Sequence, residues 1–401
     1  MKVLLAHPGT QHAFTLGAQL HRKRLLHEFW TCFGLSDGEL RRRAVAALPS
    51  FLRRKLENRF AFDLTKRELR TIPWLEFKAL RQLRSGINEE EVMMERNEKF
   101  QRAIATDSIA ASDTIIGFDT SSWLLVDRAH NAGKRFVLDQ SHAHPQASSI
   151  AAARVSQEFP EWADNFRPTL PSLLEKQEHE YRAADLVVTA SSFARQTLIE
   201  NGVAPEKIRL NPHGVDLVRF RPSETRPLGQ SVRFIFVGSL SARKGVPLML
   251  AAWEKLQMKG AELWILGHVS SEVRKLLPNL PGLRILGKRS RPELVEILRS
   301  CDVFVLPSYF EGFGLVLLEA LACGLPIITT EASAGPDLLG KSGAGILIQS
   351  GSAEQLAAAI TYMMDHRSEL PVMSRLARTR AEEFSWDNYG DRWKAILDEP
   401  T

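Results

Sequence analysis

The chain has 401 residues, of which 44% are hydrophobic and 25% are charged, and its net charge is +5. This composition is ordinary for a soluble globular protein, and the length is too great for one ordinary core, so two domains are expected. The three cysteines form neither an even disulfide set nor a metal-type spacing, which favours a reducing cytoplasm. The sequence contains no uninterrupted run of about 18 apolar residues, so it predicts no membrane-spanning helix.

Short apolar runs alternate with helical patterns along the chain, as they do in parallel sheets with crossover helices. A mostly helical, basic insertion is predicted at about residues 35–105. We expect residues 1–220 to form an N-terminal, Rossmann-like domain around this insertion. The strands of this first half are predicted at Lys2–Ala6, Thr114–Phe118, Phe136–Asp139, Leu186–Ala190 and Ile208–Asn211.

Basic residues are concentrated between Leu20 and Arg84, where 16 Lys or Arg and 7 Asp or Glu give a net charge of +9. Basic side chains mixed with aromatic ones suit an anionic membrane surface. Two alternatives remain open: a solvated helical insertion whose aromatic residues face the core, and a nucleic-acid partner, for which no known motif is present. The clusters and aromatic residues concerned are Arg22–Arg24, Arg41–Arg43, Arg53–Lys55, Trp30, Phe51, Phe60, Phe62, Trp74 and Phe77.

A polar, proline-containing segment from Arg219 to Ser231 separates the two halves, as linkers do. We expect residues 221–384 to form a second doubly wound domain. Residues 385–401 are predicted to form a final helix with Ser385 as its N-cap. The strands of the second half are predicted at Val232–Val237, Ala261–Leu266, Leu283–Leu286, Val303–Leu306, Ile327–Thr330 and Gly345–Ile348.

The segment from Ser308 to Glu319 places two carboxylates eight positions apart, on either side of a glycine-containing turn. Glu311 follows an apolar strand, and Glu319 lies within a helix that is predicted to begin near Leu315. A helix start offers unpaired N–H groups and partial positive charge to a phosphate. Carboxylates accept hydrogen bonds from sugar and ribose hydroxyls. The pattern therefore suits a nucleotide sugar, although two such glutamates also occur on solvated helix faces.

Two neighbouring segments extend this pattern. Ala320–Thr330 has the pattern of a helix ended by Gly324 and followed by a buried strand, and Phe234–Gly245 contains a strand, a turn and a basic pair. Together with Ser308–Glu319, these segments resemble the donor domain of glycosyltransferase family 4, whose members are retaining enzymes of the GT-B fold. The resemblance covers about residues 185–395 and extends more loosely to the N-terminus.

The resemblance implies roles for the carboxylates and for the turn between them. Glu311 is expected to reach the transferred sugar, and Glu319 is expected to bind the ribose of the donor. The backbone of Gly312, Phe313 and Gly314 is expected to meet the diphosphate.

The resemblance also implies which cations face the donor. Lys244 corresponds to the family's lysine, and a fixed cation there stabilises the leaving diphosphate. Ser239 stands where the family often has arginine, so Arg243 is a candidate to supply the second charge. Lys288 lies in a turn that resembles the base-binding edge, but the same turn also fits an ordinary strand-to-helix loop.

In the first half, the resemblance brings two loops to the cleft. Gly9 is expected to face the donor phosphate or the acceptor. His142 is expected to lie near the transferred sugar, with His144 as the second choice. Two histidines at this spacing could also bind metal, but no third ligand and no D-x-D motif are evident, so neither a metal nor another cofactor is expected.

The resemblance implies a GT-B fold, in which two Rossmann-like domains face a cleft and the C-terminal helix crosses back to the first domain. Such a protein transfers a sugar from a nucleotide-diphosphate donor, for example a UDP-sugar, to an acceptor hydroxyl with retention. We expect a role in the synthesis of cell-surface polysaccharide, lipopolysaccharide or glycolipid. The expected partners are a saccharide or lipid-linked acceptor and the inner face of a membrane. The alternatives are a nucleotide-sugar epimerase, a glucan synthase or a catalytically silent GT-B scaffold subunit.

Overall fold

The computed structural model describes residues 1–36, 59–61, 64–65, 67–166, 168–223 and 231–400. Within these ranges the chain forms two larger parallel sheets, one in each half, with helices between successive strands. The predicted α/β architecture with two Rossmann-like domains is therefore confirmed.

In the described part of the first half, seven strands form one parallel sheet in the order β5–β2–β1–β6–β7–β8–β9, and β3 pairs with β4 separately. The central strand β1 is fully buried, as expected for a parallel strand that is covered on both faces. The strands are β1 (Val3–Ala6), β2 (Leu26–Thr31), β3 (Leu35–Ser36), β4 (Phe60–Ala61), β5 (Leu69–Thr71), β6 (Thr114–Phe118), β7 (Arg135–Gln140), β8 (Leu186–Thr189) and β9 (Ile208–Leu210).

The edge of this sheet differs from the prediction. Strands β2 and β5 were not predicted, and β5 lies inside the insertion that was predicted to be mostly helical. Glu28 interrupts the apolar pattern of β2, yet it is buried and accepts hydrogen bonds from Trp30 and Arg70. A buried charge with partners looks like a surface residue in a sequence. The clusters Arg41–Arg43 and Arg53–Lys55, together with Phe51 and Phe62, lie outside the described residues.

The helices of the first half connect these strands. Several have side-chain caps, for example Ser191, whose hydroxyl accepts a hydrogen bond from the N–H of Ala194. The helices are α1 (Ala13–Arg22), α2 (Pro73–Arg84), α3 (Glu89–Ala103), α4 (Thr106–Ala110), α5 (Leu125–Asn131), α6 (Pro145–Glu158), α7 (Pro171–Ala183) and α8 (Ser192–Glu200), with short 3₁₀ turns at Pro160–Asn165 and Pro205–Lys207.

In the described part of the second half, six parallel strands have the order β12–β11–β10–β13–β14–β15. All six predicted strands are confirmed. They are β10 (Val232–Val237), β11 (Ala261–Leu266), β12 (Leu283–Gly287), β13 (Val303–Leu306), β14 (Ile327–Thr330) and β15 (Gly345–Ile348). The helices are α9 (Val246–Leu256), α10 (Ser271–Leu276), α11 (Arg291–Arg299), α12 (Leu315–Ala322), α13 (Gly335–Leu339), α14 (Ala353–Asp365), α15 (Leu370–Glu382) and α16 (Trp386–Asp398), with a 3₁₀ turn at Arg367–Glu369.

Helix α16 returns from the second half and packs on the first sheet. Its Tyr389 and Trp393 are almost completely buried in the same apolar cluster as Val3 and Leu5 of β1. The hydroxyl of Ser385 accepts a hydrogen bond from Asn388, so the predicted N-cap is confirmed. Gly214 lies against this crossing, because a Cβ at Gly214 would be 2.5 Å from the backbone nitrogen of Trp386.

Candidate active site

Lys244 lies in the loop after β10, which passes the loop after β13. Gly245 has φ +72°, and a Cβ there would be 1.9 Å from the carbonyl oxygen of Pro307, so only glycine fits. The aliphatic part of Lys244 lies against Gly238, where a Cβ would be 3.0 Å from its Cδ. These glycines let the two loops meet at the carboxyl edge of the sheet, where ligands bind in open α/β folds.

Glu311 lies between the two basic residues of the β10 loop. Its Oε2 is 3.2 Å from Arg243 Nη1 and 3.2 Å from Lys244 Nζ. Burial raises the pKa of Glu311, but the charges of Lys244 and Arg243 outweigh it and lower the pKa below its usual value. The three side chains therefore form an ionised cluster with a net charge of +1.

Arg243 is fixed within this cluster by a second contact. Its Nη1 donates a hydrogen bond of 2.8 Å to the carbonyl of Phe310, the residue before Glu311. Ser239, where the family often carries arginine, is exposed. The structure therefore brings Arg243, rather than a residue at position 239, next to the carboxylate.

The turn at Gly312, Phe313 and Gly314 reaches across to the first half. Gly314 has φ +83° and begins α12. A Cβ at Gly312 would be 2.4 Å from the carbonyl oxygen of Ser141, so glycine is required for this approach. The buried ring of Phe313 packs edge-on against His213, with 4.9 Å between the ring centroids. The turn is thus fixed by both halves of the chain.

Glu319 lies one helical turn after Leu315 and forms an ion pair with Arg291. Burial raises its pKa, and the charge of Arg291 opposes that effect. Glu319 and Arg291 both line a cavity of about 810 Å³, which lies between α12, α1 and the segments 214–220 and 385–387. A carboxylate beside a cavity of this size has room for a nucleoside.

Near Glu319, the sequence predicted a site residue at Lys288 and did not predict Arg291. Lys288 is exposed beyond the end of β12, whereas Arg291, three positions later, contacts Glu319. Arg291 is the first residue of α11, whose capping box is formed by Ser290 and Glu293. The Ser-x-x-Glu pattern is visible in the sequence and could have placed Arg291 in the first turn of a helix.

The two histidines of the β7 loop have different environments. His142 Nδ1 is 3.2 Å from Asp119 Oδ2, and about half of the His142 side chain is exposed. His144 is buried, where its Nδ1 accepts a hydrogen bond from Gln146 and its Nε2 is 3.0 Å from Glu178. His142 is therefore the histidine that borders the cleft, and His144 caps α6.

The loop after β1 holds Gly9 above buried histidines. A Cβ at Gly9 would be 3.1 Å from His7 Nε2. Burial lowers the pKa of His7 to about 3, so this ring is neutral. His12, which sequence reasoning did not select, lies 2.8 Å from Asp139, and its ring centroid is 4.3 Å from that of His213. His213 in turn packs against Phe313 of the glycine turn.

Neither a metal-binding cluster nor a membrane-spanning helix is found in the described part of the chain. In it, no three or more His, Cys, Asp or Glu side chains are grouped so that they could hold a metal ion. Nor do the described residues include a helix with the length and apolar content needed to cross a bilayer.

Residues 231–366 match the family model described as "Glycosyl transferases group 1". The MMP alpha-(1->4)-mannosyltransferase of Mycolicibacterium hassiacum is 30% identical over 230 residues, which cover 53% of this chain and 54% of that protein. The chain spans about half the length of the curated relatives that it matches.

Two solved structures are similar over nearly the whole chain. Sucrose-phosphate synthase from Thermosynechococcus elongatus superposes with a TM-score of 0.67 at 16% identity, covering 99% of this chain and 98% of that one. HepE from Anabaena in complex with UDP superposes with a TM-score of 0.65 at 16% identity, covering 99% of each chain. The matched region, the two parallel sheets and these superpositions agree. The chain therefore has the GT-B fold, and its second half is similar to the group 1 glycosyl transferases.

Proposed function

We propose that this protein transfers a sugar from a nucleotide-diphosphate sugar to an acceptor hydroxyl with retention of anomeric configuration. The observation that carries the proposal is the cluster of Glu311, Arg243 and Lys244 at the start of α12. Its net positive charge and the adjacent helix start suit a diphosphate. Glu319, next to the cavity of about 810 Å³, suits the ribose hydroxyls.

In the proposed reaction, the cations act on the leaving group. Arg243 and Lys244 bind the diphosphate and stabilise the negative charge that develops as the bond between the anomeric carbon and the phosphate oxygen breaks. The acceptor oxygen forms its bond on the same face, and its proton passes to the leaving phosphate oxygen. Glu311 holds the cations in place and accepts a hydrogen bond from a hydroxyl of the sugar.

We select a UDP-sugar as the donor to test first. HepE, whose fold is similar, is described in complex with UDP and, separately, with UDP-glucose. Arg291 and Glu319 line the cavity in which the proposal places the nucleoside. This choice is supported by the similarity of fold and the position of the cavity.

The acceptor side of the proposal includes an anionic membrane surface on the cytoplasmic side. Helix α2 exposes 55% of Trp74 and 64% of Phe77. Arg81 and Arg84 are exposed on the same helix. Aromatic rings interleaved with cations on one helix face suit the headgroup region of a bilayer. A glycolipid, or a saccharide carried on a lipid, fits such a surface as the acceptor.

A thermal-shift series with UDP, GDP, ADP and the corresponding glucose nucleotides tests the donor site. A ligand that binds only the folded state stabilises it by about 2.7 kcal/mol at 100 times its Kd, so UDP should raise the melting temperature. If none of these nucleotides raises it, the donor site is wrong.

Product analysis then separates the transferase from an epimerase. A transferase releases UDP in proportion to the acceptor that is glycosylated. An epimerase would release nucleotide and an epimerised sugar without any acceptor, and a silent scaffold subunit would bind UDP with no turnover.

A further inference from the structure

Asp119 lies at the end of β6, and its carboxylate faces the loop that carries His142. One carboxylate oxygen is 3.2 Å from His142 Nδ1, and the other accepts a hydrogen bond of 3.3 Å from the N–H of Ser141. Asp119 is almost completely buried. Asp119 is not among the predicted site residues, and it has no role in the reaction proposed above.

The loop that carries Asp119 is fixed by hydrogen bonds to side chains of α3 and α7. Thr120 has φ +64°, a left-handed conformation that costs a non-glycine residue free energy. The buried carboxylate of Glu180 accepts hydrogen bonds from the N–H groups of Thr120, at 2.9 Å, and Ser122, at 2.6 Å. Asn97 donates a hydrogen bond of 2.8 Å to the carbonyl of Thr120. These contacts fix Asp119 at the cleft side of the first sheet.

The other side of the His142 ring is available to a ligand. Because Nδ1 faces Asp119, Nε2 lies on the opposite side of the ring, and about half of the side chain is exposed. The donor loop is close, since a Cβ at Gly312 would be 3.0 Å from His142 Cα. His142 therefore lies between Asp119 of the first half and the cluster of Glu311, Arg243 and Lys244 of the second.

We propose that Asp119 is a positioning residue for sugar transfer: it holds the ring of His142 so that Nε2–H is presented to an oxygen of the donor sugar. This proposal rests on the proposed function, because it takes the bound molecule to be a nucleotide sugar. Asp119 acts through His142 and does not touch the substrate itself.

The charges around His142 give this arrangement a pH dependence. Burial lowers the pKa of His142, but the hydrogen bond and charge of Asp119, together with the charge of Glu311, raise it above its usual value. Arg243 opposes this effect, and the charge of His142 in turn helps to lower the pKa of the buried His213. The imidazolium, with N–H donors on both nitrogens, is therefore present at low pH and is lost as the pH rises through the raised pKa.

The first experiment is an NMR titration of His142 in the ligand-free protein, comparing the wild type with Asp119→Asn. Asparagine keeps the shape of the buried side chain but removes its charge, so His142 should titrate at a lower pH in the variant. Asp127→Asn is the matched control, because Asp127 forms an exposed pair with His179, at 2.9 Å, in the same half of the chain. An unchanged midpoint for His142 in Asp119→Asn overturns the proposal.

The second experiment measures the release of UDP from UDP-glucose against pH. Asp119→Asn should lower kcat roughly 10- to 100-fold, since a misplaced group at a reacting centre has effects of this size. In the plot of kcat against pH, the alkaline limb should also move to lower pH, and KM should change little. Equal loss at every pH would indicate a structural role and contradict the proposal. If the wild type neither binds UDP nor releases it, the proposed function fails, while the NMR comparison still decides whether Asp119 positions His142.

Discussion

The candidate site draws its residues from the two halves of the molecule in different ways. In the second half, Glu311, Glu319 and the basic pair come from two short segments, 238–245 and 308–319. In the first half, the residues at the cleft come from separate loops at 7–12, 119–123 and 141–144. In the proposed site, the diphosphate side is therefore built from local patterns, and the side formed by the first half is built from contacts between distant segments.

This difference has a physical origin. A diphosphate is recognised by a helix start, a glycine turn and a nearby cation, and all three can follow one strand in sequence. A sugar hydroxyl needs single donors and acceptors that are fixed at precise positions, and any loop can supply them. His142 depends on Asp119, which is 23 residues away, and on Glu180 behind it. Variants in each half should therefore affect different steps.

Glu311→Gln should have the largest effect, a loss of turnover of about 10²- to 10³-fold, comparable to the removal of one transition-state contact. Glutamine keeps the shape but cannot hold Arg243 and Lys244 as ion pairs. Affinity for UDP should persist, because those cations are still present. Steady-state release of UDP from UDP-glucose measures the first quantity, and calorimetry with UDP measures the second.

Glu354→Gln, an exposed glutamate in the first turn of α14, is the control and should behave as the wild type. Near-normal transfer by Glu311→Gln would show that the carboxylate has no part in the reaction. Loss of UDP binding would instead place Glu311 at the nucleotide, and the division of roles between the two glutamates would be wrong.

Glu319→Ala should act on binding rather than turnover. The loss of hydrogen bonds from the ribose to a charged group costs about 1–3 kcal/mol, which weakens UDP roughly 5- to 150-fold. Calorimetry with UDP checks this value. Glu296→Ala, which removes an exposed glutamate from the neighbouring helix α11, should leave the affinity unchanged. An unchanged affinity in Glu319→Ala would mean that Glu319 only anchors Arg291.

The same contrast explains how much the sequence could predict. All six strands of the second sheet were predicted, because each contains a short apolar run, and the one charged residue in β10, β11 and β12 is only the second residue of its strand. In the first sheet, β2 and β5 were missed, since Glu28 interrupts one run and the other has only three residues. Pattern arguments detect period and composition, and they cannot detect a buried charge whose partner is distant in sequence.

The site residues divide along the same line. Glu311, Lys244 and Arg243, which the resemblance assigned to the donor, lie together in the structure, whereas Arg291, Asp119 and His12 were found only from the structure. The resemblance favoured His142 over His144 only narrowly, and burial distinguishes them. Their chemical roles remain predictions for the variants described above.

Removal of charge from α2 should have a smaller effect, confined to the first half. Each basic residue near an anionic surface contributes about 1 kcal/mol, so Arg81→Ser with Arg84→Ser should weaken binding to phosphatidylglycerol vesicles about 30-fold at low salt. Co-sedimentation measures the binding, and UDP affinity should not change. Lys255→Ser with Lys259→Ser, at exposed sites in the second half, is the matched control.

Salt provides a second check, because it screens the attraction. Wild-type binding should be strong at low salt and weak at high salt. If the wild type does not bind the vesicles at low salt, α2 is a solvated surface. The proposal of a lipid-linked acceptor is then replaced by that of an acceptor free in solution.

Treatment with a chelator should have the smallest effect, no measurable change in turnover. Metal ions in sugar transfer neutralise the leaving diphosphate. Glu311 already holds Arg243 and Lys244, at 3.2 Å each, where we propose that the diphosphate binds, and fixed cations supply the same charge. UDP release should therefore be equal in EDTA and in magnesium. Loss of activity in EDTA that manganese or magnesium restores would show that the two side chains are insufficient. The second half would then need a metal ion bound with the diphosphate, and the simple division between a local diphosphate site and an assembled first-half site would no longer hold.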